Sequence, residues 1–236
     1  MIDLIQHDSL VIGSKQAISE LGKAKKARVL VISDSHRRPD IVNAIIEEFG
    51  SQSDALIFCG DGIGDIVQAL EKTTKNTKFA KCFPDVLVMV EGNNDSDRYP
   101  VIFNPKTGKI IPGDLYEIHI PEDEYVKIAG LNIYVTHGHL DGVNYDTNAL
   151  YLKMKNTTAD IILYGHTHVS YRDERHSSID IVNPGSCSLP RRNLPPSFAL
   201  LEIPGNGERV TVNFYEMKIT LEKGLTFSQF SPSVNP

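Results

Sequence analysis

Seven side chains of cation-binding type arrive in short ordered clusters along the chain. The clusters are Asp34-Ser-His36, Gly60-Asp61, Gly92-Asn-Asn-Asp95, Thr136-His-Gly-His139 and Gly165-His-Thr-His168. The candidate metal ligands are Asp34, His36, Asp61, Asn93, His137, His166 and His168. Carboxylate, neutral imidazole and amide carbonyl form a borderline-to-hard donor set suited to manganese, iron, zinc or magnesium. No thiolate takes part, which argues against a structural zinc. Asp34-x-His36 and His166-x-His168 each put two donors on one short segment, where alternate residues converge if the chain curls. Gly60, Gly92, Gly138 and Gly165 let backbone pass close to a crowded, charged centre.

A charge count separates one cation from two. Asp34 and Asp61 bring about −2, and the other donors bring none. Seven donors are too many for one tetrahedral or octahedral site with an open position. Two sites sharing a bridging carboxylate use them as four plus four, with one counted twice. Two divalent ions then leave a net charge of about +2, which attracts a phosphoryl group and draws a bridging water toward hydroxide, the expected nucleophile. Ions roughly 3.5–4 Å apart would clamp the ester oxygens for in-line displacement.

Each cluster follows an apolar run. Arg28–Ser33, Ala55–Cys59 and Val86–Val90 read as strands buried on both faces, with helices between them from Pro39 and over Ile63–Glu71. Proline is favoured at a first helical position. Strand–helix–strand–helix–strand predicts a parallel sheet with right-handed crossovers. In such sheets the site lies beyond the carboxyl ends of the strands. Further on, a hairpin turns at Ala129-Gly130, a helix spans 146–155 with Asp146 as N-cap, and strands run over Ile161–Tyr164 and Ile179–Val182. A second hairpin flanks Pro204-Gly-Asn-Gly207. The order suits two packed sheets with helices outside. The expected organisation is one domain over 1–236, with a core of about 28–216 and a loose tail at 217–236.

The chain has 236 residues and a net charge of −6, enough for one sizeable core and without the global basic field of nucleic-acid binders. Cys59, Cys82 and Cys187 form no CxxC pair, and Cys59 reads as a buried reduced thiol. No secretory signal and no membrane-length apolar run stand out, so a cytoplasmic protein is expected.

The five motifs, in this order, resemble those of the calcineurin-like metallophosphoesterases, most closely the small bacterial and archaeal phosphodiesterases. The resemblance implies an α/β fold, a four-layer α/β/β/α sandwich of two packed mixed sheets. It also implies a dinuclear centre. By motif position, Asp34, His36, Asp61 and His168 would hold one ion, and Asp61, Asn93, His137 and His166 the other, with Asp61 bridging. Manganese is the first expectation, with iron, zinc, nickel or magnesium as alternatives. The expected function is hydrolysis of a small soluble phosphate ester, a phosphodiester first, by a metal-bridging hydroxide.

Three departures from the family pattern bear on catalysis. Arg37 stands where the family usually has glycine and reads either as a contact to substrate phosphate or as a solvated loop arginine. Asn94 occupies the place where nuclease and phosphatase relatives carry a proton-donating His; an amide donates a hydrogen bond but is no general acid. The stretch 98–126 is longer than a minimal connection, as a lid or a dimer surface would be. His139 could substitute as proton donor, and Asp95 reads as a loop-ordering carboxylate beside the centre rather than a ligand. His7, His119 and His176 read as structural; Asp65, Asp97 and Asp141 as caps or loop charges; Asn183-Pro-Gly-Ser186 as a structural turn. The competing functions are a phosphomonoesterase, a nuclease, disfavoured by the acidic balance and the absent His, and a non-catalytic scaffold of the retromer type. Expected partners are a small phosphate ester and possible further copies of the chain, with no membrane.

Overall fold

The three buried runs become the parallel centre of a seven-stranded sheet in the computed structural model, which describes residues 2–144, 146–176, 179–205, 208–220, 222 and 224–232. The first half of the chain forms β1 (Ile12–Gly13), α1 (Lys15–Lys23), β2 (Lys26–Ile32), α2 (Pro39–Phe49), β3 (Ala55–Phe58), α3 (Ile63–Lys75), α4 (Thr77–Cys82) and β4 (Val86–Met89). Val29 pairs with Ala55 and Ala55 with Val86, so β2, β3 and β4 run parallel in register.

The second half builds a second sheet and then returns to the first. It comprises β5 (Arg98–Val101), β6 (Tyr116–His119), β7 (Asp123–Ile128), β8 (Leu131–Thr136), α5 (Asn148–Met154), β9 (Ile161–Leu163), β10 (Tyr171–Asp173), β11 (Asp180–Asn183), β12 (Ser197–Pro204), β13 (Thr211–Thr220) and β14 (Gly224–Phe230). The first sheet is ordered β1-β4-β3-β2-β12-β13-β14 and the second β10-β11-β9-β8-β7. Both are mixed: β12 lies antiparallel to β2, while β9 lies parallel to β8 and to β11.

Strand alternation distributes the apolar side chains among three cores. Leu30, Ile32, Leu56 and Phe58 pack with Ile45 and Ile46 of α2 and Ile66 and Leu70 of α3. From the opposite face, Val29, Val31, Ile57 and Val88 meet Ile133, Val135, Leu163 and Val182 of the second sheet. Beyond it, Tyr134, Ile162 and Ile181 pack under Leu150 and Met154 of α5. Helix, sheet, sheet and helix thus stack as a four-layer α/β/β/α sandwich of two mixed sheets. Burial on both faces explains why the central strands read as unbroken apolar runs rather than as alternation.

Several expectations change. The core begins before residue 28: Ile2, Leu4, Ile12 and Leu21 are buried, and Ser14 caps α1 by accepting from the Ala17 N–H. The tail expected to be loose forms β14, paired with β13 from Phe214↔Phe230 to Thr220↔Gly224, and Phe227 packs edge-on to Phe49. Residues 233–236, and Asn206 and Gly207 of the expected turn, lie outside the described residues. Asp146 does not cap α5, whose N-cap is Thr147; it pairs with Arg175 at 2.7 Å. The stretch 98–126 is docked at its base: Val101, Phe103 and Ile118 are fully buried, and Gln6 bonds both ways with the His119 backbone. Ala129 and Gly130 turn the β7–β8 hairpin with φ of 47° and 86°, as a two-residue primed turn requires. No helix among the described residues is long and apolar enough to cross a membrane.

Because the sheet–sheet interface is apolar and buried, Ile133→Ala should cost about 2–5 kcal/mol. Urea unfolding should show a lower midpoint with an unchanged slope; an unchanged midpoint would contradict the packing described.

Candidate metal centre

The motifs meet where β2, β3, β4, β8 and β9 end. Asp34 and His36 follow β2, Asp61 follows β3, Asn93 follows β4, His137 follows β8, and His166 and His168 follow β9. Five of these residues take left-handed backbone: Asp34 (φ 55°), His36 (45°), Asp61 (59°), His166 (66°) and His168 (60°). Such a conformation costs a non-glycine residue about 1–3 kcal/mol. It curls each Asp-x-His or His-x-His segment so that both donors face inward. Close approach explains two glycines. A Cβ on Gly92 would collide with the Asp61 carboxylate, and one on Gly165 with the Ser33 hydroxyl and the Asp34 carboxylate.

One group of donors is Asp34, His36, Asp61 and His168, whose ligand atoms all lie within 4.8 Å of one another. His168 Nδ1 lies 2.6 Å from the Leu189 carbonyl. A carbonyl only accepts, so Nδ1 carries the proton and Nε2 presents a lone pair. That lone pair lies 3.0 Å from His36 Nε2 and 3.2 Å from Asp34 Oδ1. The other Asp34 oxygen is engaged, accepting from Ser33 Oγ at 2.6 Å and the His166 N–H at 3.2 Å. Asp34 Oδ1 is buried and accepts no hydrogen bond from the described residues.

Asp61 joins this group to a second one. Its Oδ2 lies 3.7 Å from His36 Nε2, while its Oδ1 lies 3.5 Å from His137 Nε2. His137 Nδ1 donates to the Cys59 carbonyl at 2.6 Å, so its Nε2 also points inward, buried and without a partner among the described residues. Asn93 Oδ1 and His166 Nδ1 lie 2.9 Å apart. Adjacent ligands on an ion with bonds of about 2.1 Å sit about 3 Å apart in octahedral geometry. Orphaned inward donors at such spacings fit divalent cations.

Other side chains hold the loops. Both oxygens of Asp95 are taken by the backbone N–H groups of Asp61 (2.6 Å), Gly62 (3.0 Å), Ile63 (2.9 Å) and Gly92 (3.0 Å). Asp95 therefore ties the second motif to the third and serves the start of α3, which has no side-chain cap of its own. It is a positioning residue, acting through the loops it ties together. Burial, then the Asp95 charge, pushes the Tyr99 hydroxyl up to about 12, so it remains a donor to Asp95. Asp65, expected as a cap or loop charge, is buried and accepts from Ser35 Oγ and the Arg38 N–H. Its signal in the sequence is a carboxylate among Ile63, Ile66 and Leu70 on an apolar helix face. Ser186 and Ser188 donate to the Asp34 carbonyl, and Asn183 donates to the Gly165 carbonyl, so that turn braces the first and last motifs.

The remaining site candidates are placed as follows. Asn94 donates to Asp61 through both its amide (2.6 Å) and its backbone N–H (2.9 Å), so its side chain is committed to that carboxylate. His139 is half-buried, its ring 5.4 Å from that of His137 and 6.1 Å from that of His166. Arg37 is exposed beside His36 and pairs with none of the described residues. His7 bonds the Gly13 carbonyl, His119 lies on β6, and His176 stacks on Tyr151, all away from the centre. Asn144 escaped the sequence reading; its amide lies 3.0 Å from His166 Nε2.

Burial by itself would raise the Asp61 carboxyl, but His137 and the Asn94 donors outweigh it and hold it well below the usual range. Burial would lower His137 and His168, yet Asp61 and Asp34 raise the first and Asp34 the second, so both end above the ordinary value. His139 and His166 end below it, through burial and then the charge of His137.

A family model described as the calcineurin-like phosphoesterase superfamily domain matches residues 28–206. The probable metallophosphoesterase YsnB of Bacillus subtilis is 29% identical over 189 residues, covering 80% of this chain and 90% of that protein. The phosphodiesterase YfcE of Escherichia coli is 27% identical over 181 residues, covering 74% and 87%. Among solved structures, wild-type Vps29 of Entamoeba histolytica complexed with zinc superposes with a TM-score of 0.57 at 22% identity, covering 86% of this chain and 98% of that one, a likeness of fold.

Protons and cations compete for the inward nitrogens, which fixes the sign of a pH effect. Without metal, the raised pKa values of His137 and His168 contribute stability that is complete below about 6.5 and lost as pH rises through the raised values. Ligation requires both rings neutral. The melting temperature without metal should therefore fall above about pH 6.5, while the rise produced by manganese should grow over the same interval. Calorimetry with and without manganese checks this; a manganese effect independent of pH would contradict it.

Proposed function

The chain belongs to the calcineurin-like phosphoesterase superfamily, and we propose that it is a divalent-metal-dependent phosphodiesterase acting on a small soluble ester. The observation that carries the reading is the pair of buried donors, Asp34 Oδ1 and His137 Nε2, one in each ligand group, that have no hydrogen-bond partner among the described residues. Asp34, His36, Asp61 and His168 would hold one cation, and Asp61, Asn93, His137 and His166 a second. The two Asp61 oxygens facing different groups support its bridging role. Bound there, a pair of divalent ions would supply Lewis acidity toward the phosphoryl oxygens and a water acidic enough to ionise near neutrality.

The chain's own residues set the rest. Asn94 keeps Asp61 ionised and aimed between the groups. Arg37, solvated at the rim beside His36, offers its planar fork to a non-bridging phosphate oxygen. His139 is the nearest imidazole outside the ligand set. With its pKa lowered, it stays neutral at physiological pH and is a weak proton donor. The arrangement therefore suits esters whose alcohol leaves readily without protonation. YfcE, by name a phosphodiesterase, supports the diester. Manganese is the first metal to supply.

The likeness to Vps29 favours a second reading, a protein-interaction scaffold. That structure is itself described as complexed with zinc, so metal binding alone does not separate the two readings. The complete set of seven donors, each braced by a second contact or by a left-handed backbone, favours the enzyme.

We expect manganese-dependent hydrolysis of bis-p-nitrophenyl phosphate, reduced more than about a hundredfold by Asp61→Asn, since loss of supporting contacts alone costs 10–100-fold. Equal inactivity of both proteins would sink the enzyme reading. Single-stranded DNA should be cleaved more slowly than the small diester; the reverse order would make the protein a nuclease. His168→Phe should empty one cation position and keep the other; two fully occupied sites by anomalous scattering would refute the ligand division.

A further inference from the structure

We propose that the outer edge of β14 is a self-association surface, and that a second copy of this chain pairs there, strand against antiparallel strand, about a two-fold axis at Phe227. Such pairing is independent of the reaction at the metal centre.

An exposed sheet edge offers unpaired N–H and C=O groups to other strands, and proteins ordinarily blunt it. Three of the four edges of the two large sheets are blunted here. The strand β1 has only two residues. At the edge of the second sheet, β10 has three, with Arg172 and Asp173 among them. The opposite edge strand, β7, carries Asp123, Glu124 and Lys127, and the turn that follows it is held to α1 through the Leu21 and Gly22 carbonyls. None of these devices protects β14. Its seven residues, Gly-Leu-Thr-Phe-Ser-Gln-Phe, include no charge and no proline. Pairing with β13 runs in unbroken register from Phe214↔Phe230 to Thr220↔Gly224, so no bulge turns the edge away. Among the described residues no strand pairs with its other side, and no further backbone hydrogen bond reaches it.

The occupant follows from the strand's own sequence, which is its own complement. Antiparallel pairing centred on Phe227 engages all seven residues. It sets Thr226 opposite Ser228 of the second copy, Leu225 opposite Gln229, and Phe227 opposite its counterpart. Leu225 and Phe227 are only part-buried within one chain. Facing aromatic side chains on adjacent strands attract, so the axis falls where apolar surface remains to be covered.

Charge obeys the same symmetry. On β13, Lys218 lies beside Thr226 and Glu216 beside Ser228. The two-fold axis therefore puts Lys218 of each copy in one row with Glu216 of the other. Parallel pairing in register would put like charge in line with like. With no charge on β14 itself, the two edges approach without repulsion. Seven residues a side is small beside the roughly 20–30 of a standard interface, so the dimer is weak and depends on concentration. The strands β2, β3 and β4, which carry the metal centre, stay at least three strands from the junction.

Sedimentation equilibrium of the full chain with manganese should show a reversible monomer–dimer equilibrium with a dissociation constant of about 1–100 µM. Thr226→Lys/Ser228→Lys faces lysine with lysine in the proposed register and should weaken the dimer at least about tenfold. Thr226→Glu/Ser228→Lys puts as many charges on the strand but faces glutamate with lysine, and should stay within about threefold of the unchanged protein. Circular dichroism of the two variants should match. Hydrogen exchange of the unchanged protein provides a measurement free of substitution: amides of 224–230 should slow as protein concentration rises, and those of β7 should not. A monomer throughout that range, or exchange at 224–230 that ignores concentration, would overturn the second copy as occupant. Association beyond two copies, or a dimer on which the two double variants act alike, would overturn the two-fold register.

Discussion

Inward-facing nitrogen and oxygen donors crowded to within 3.0–3.5 Å of one another are the constraint on which the rest of this structure depends. His168 gives its only neutral-state proton to Leu189 and His137 gives its own to Cys59, so each ring turns an electron pair inward. Asp34 Oδ1 and Asp61 face the same space. Such a cluster repels itself unless positive charge enters. Without metal, the protein answers with protons, and His137 and His168 accordingly hold theirs above the ordinary histidine range. Divalent cations satisfy the same electron pairs more completely.

That self-repelling centre needs a frame that cannot relax. Backbone carbonyls at fixed strand ends orient two rings, and buried carboxylates fix the loops. Asp95 gathers four backbone N–H groups from two motifs, and Asp65 gathers the first motif onto the same helix start. Behind them lies the buried apolar interface between the sheets, where Val31, Ile57 and Val88 meet Val135 and Leu163. Strand ends locked by that packing hold the left-handed residues in place, and strain at a site persists only where its surroundings over-determine it.

This division explains what the sequence made legible. The strands bearing the motifs are buried on both faces, so they appear as apolar runs, and a polar cluster straight after such a run is conspicuous. Asp34, Asp61, Asn93, His137, His166 and His168 announce themselves in this way. The four-layer sandwich followed from strand order together with the resemblance. Features that rest on side-chain-to-backbone bonds left little trace. The two roles open to Asp95 cannot be told apart without knowing where the N–H groups of Asp61, Gly62 and Ile63 point. The strand β14 was missed because Thr226 and Ser228 on one face and Gln229 on the other interrupt its apolar pattern, although Leu225 and Phe227 pack on one core and Phe230 on another.

The same fold carries proteins with and without phosphoesterase names, so the fold does not decide between catalysis and docking. The decision rests on features that docking does not need. A scaffold gains nothing from orphaned donors, from left-handed backbone at five candidate ligand positions, or from an amide committed to the Asp61 carboxylate. The buried donors without hydrogen bonds among the described residues and the left-handed backbone both cost stability when no cation is bound. A partner-binding surface, by contrast, would rest on exposed apolar residues such as Leu140, Leu152 and Leu189, which the metal centre does not require. Here the strained, inward-facing set of donors is complete, with its loops braced by Asp95, Asp65 and the serines of the 183–188 turn.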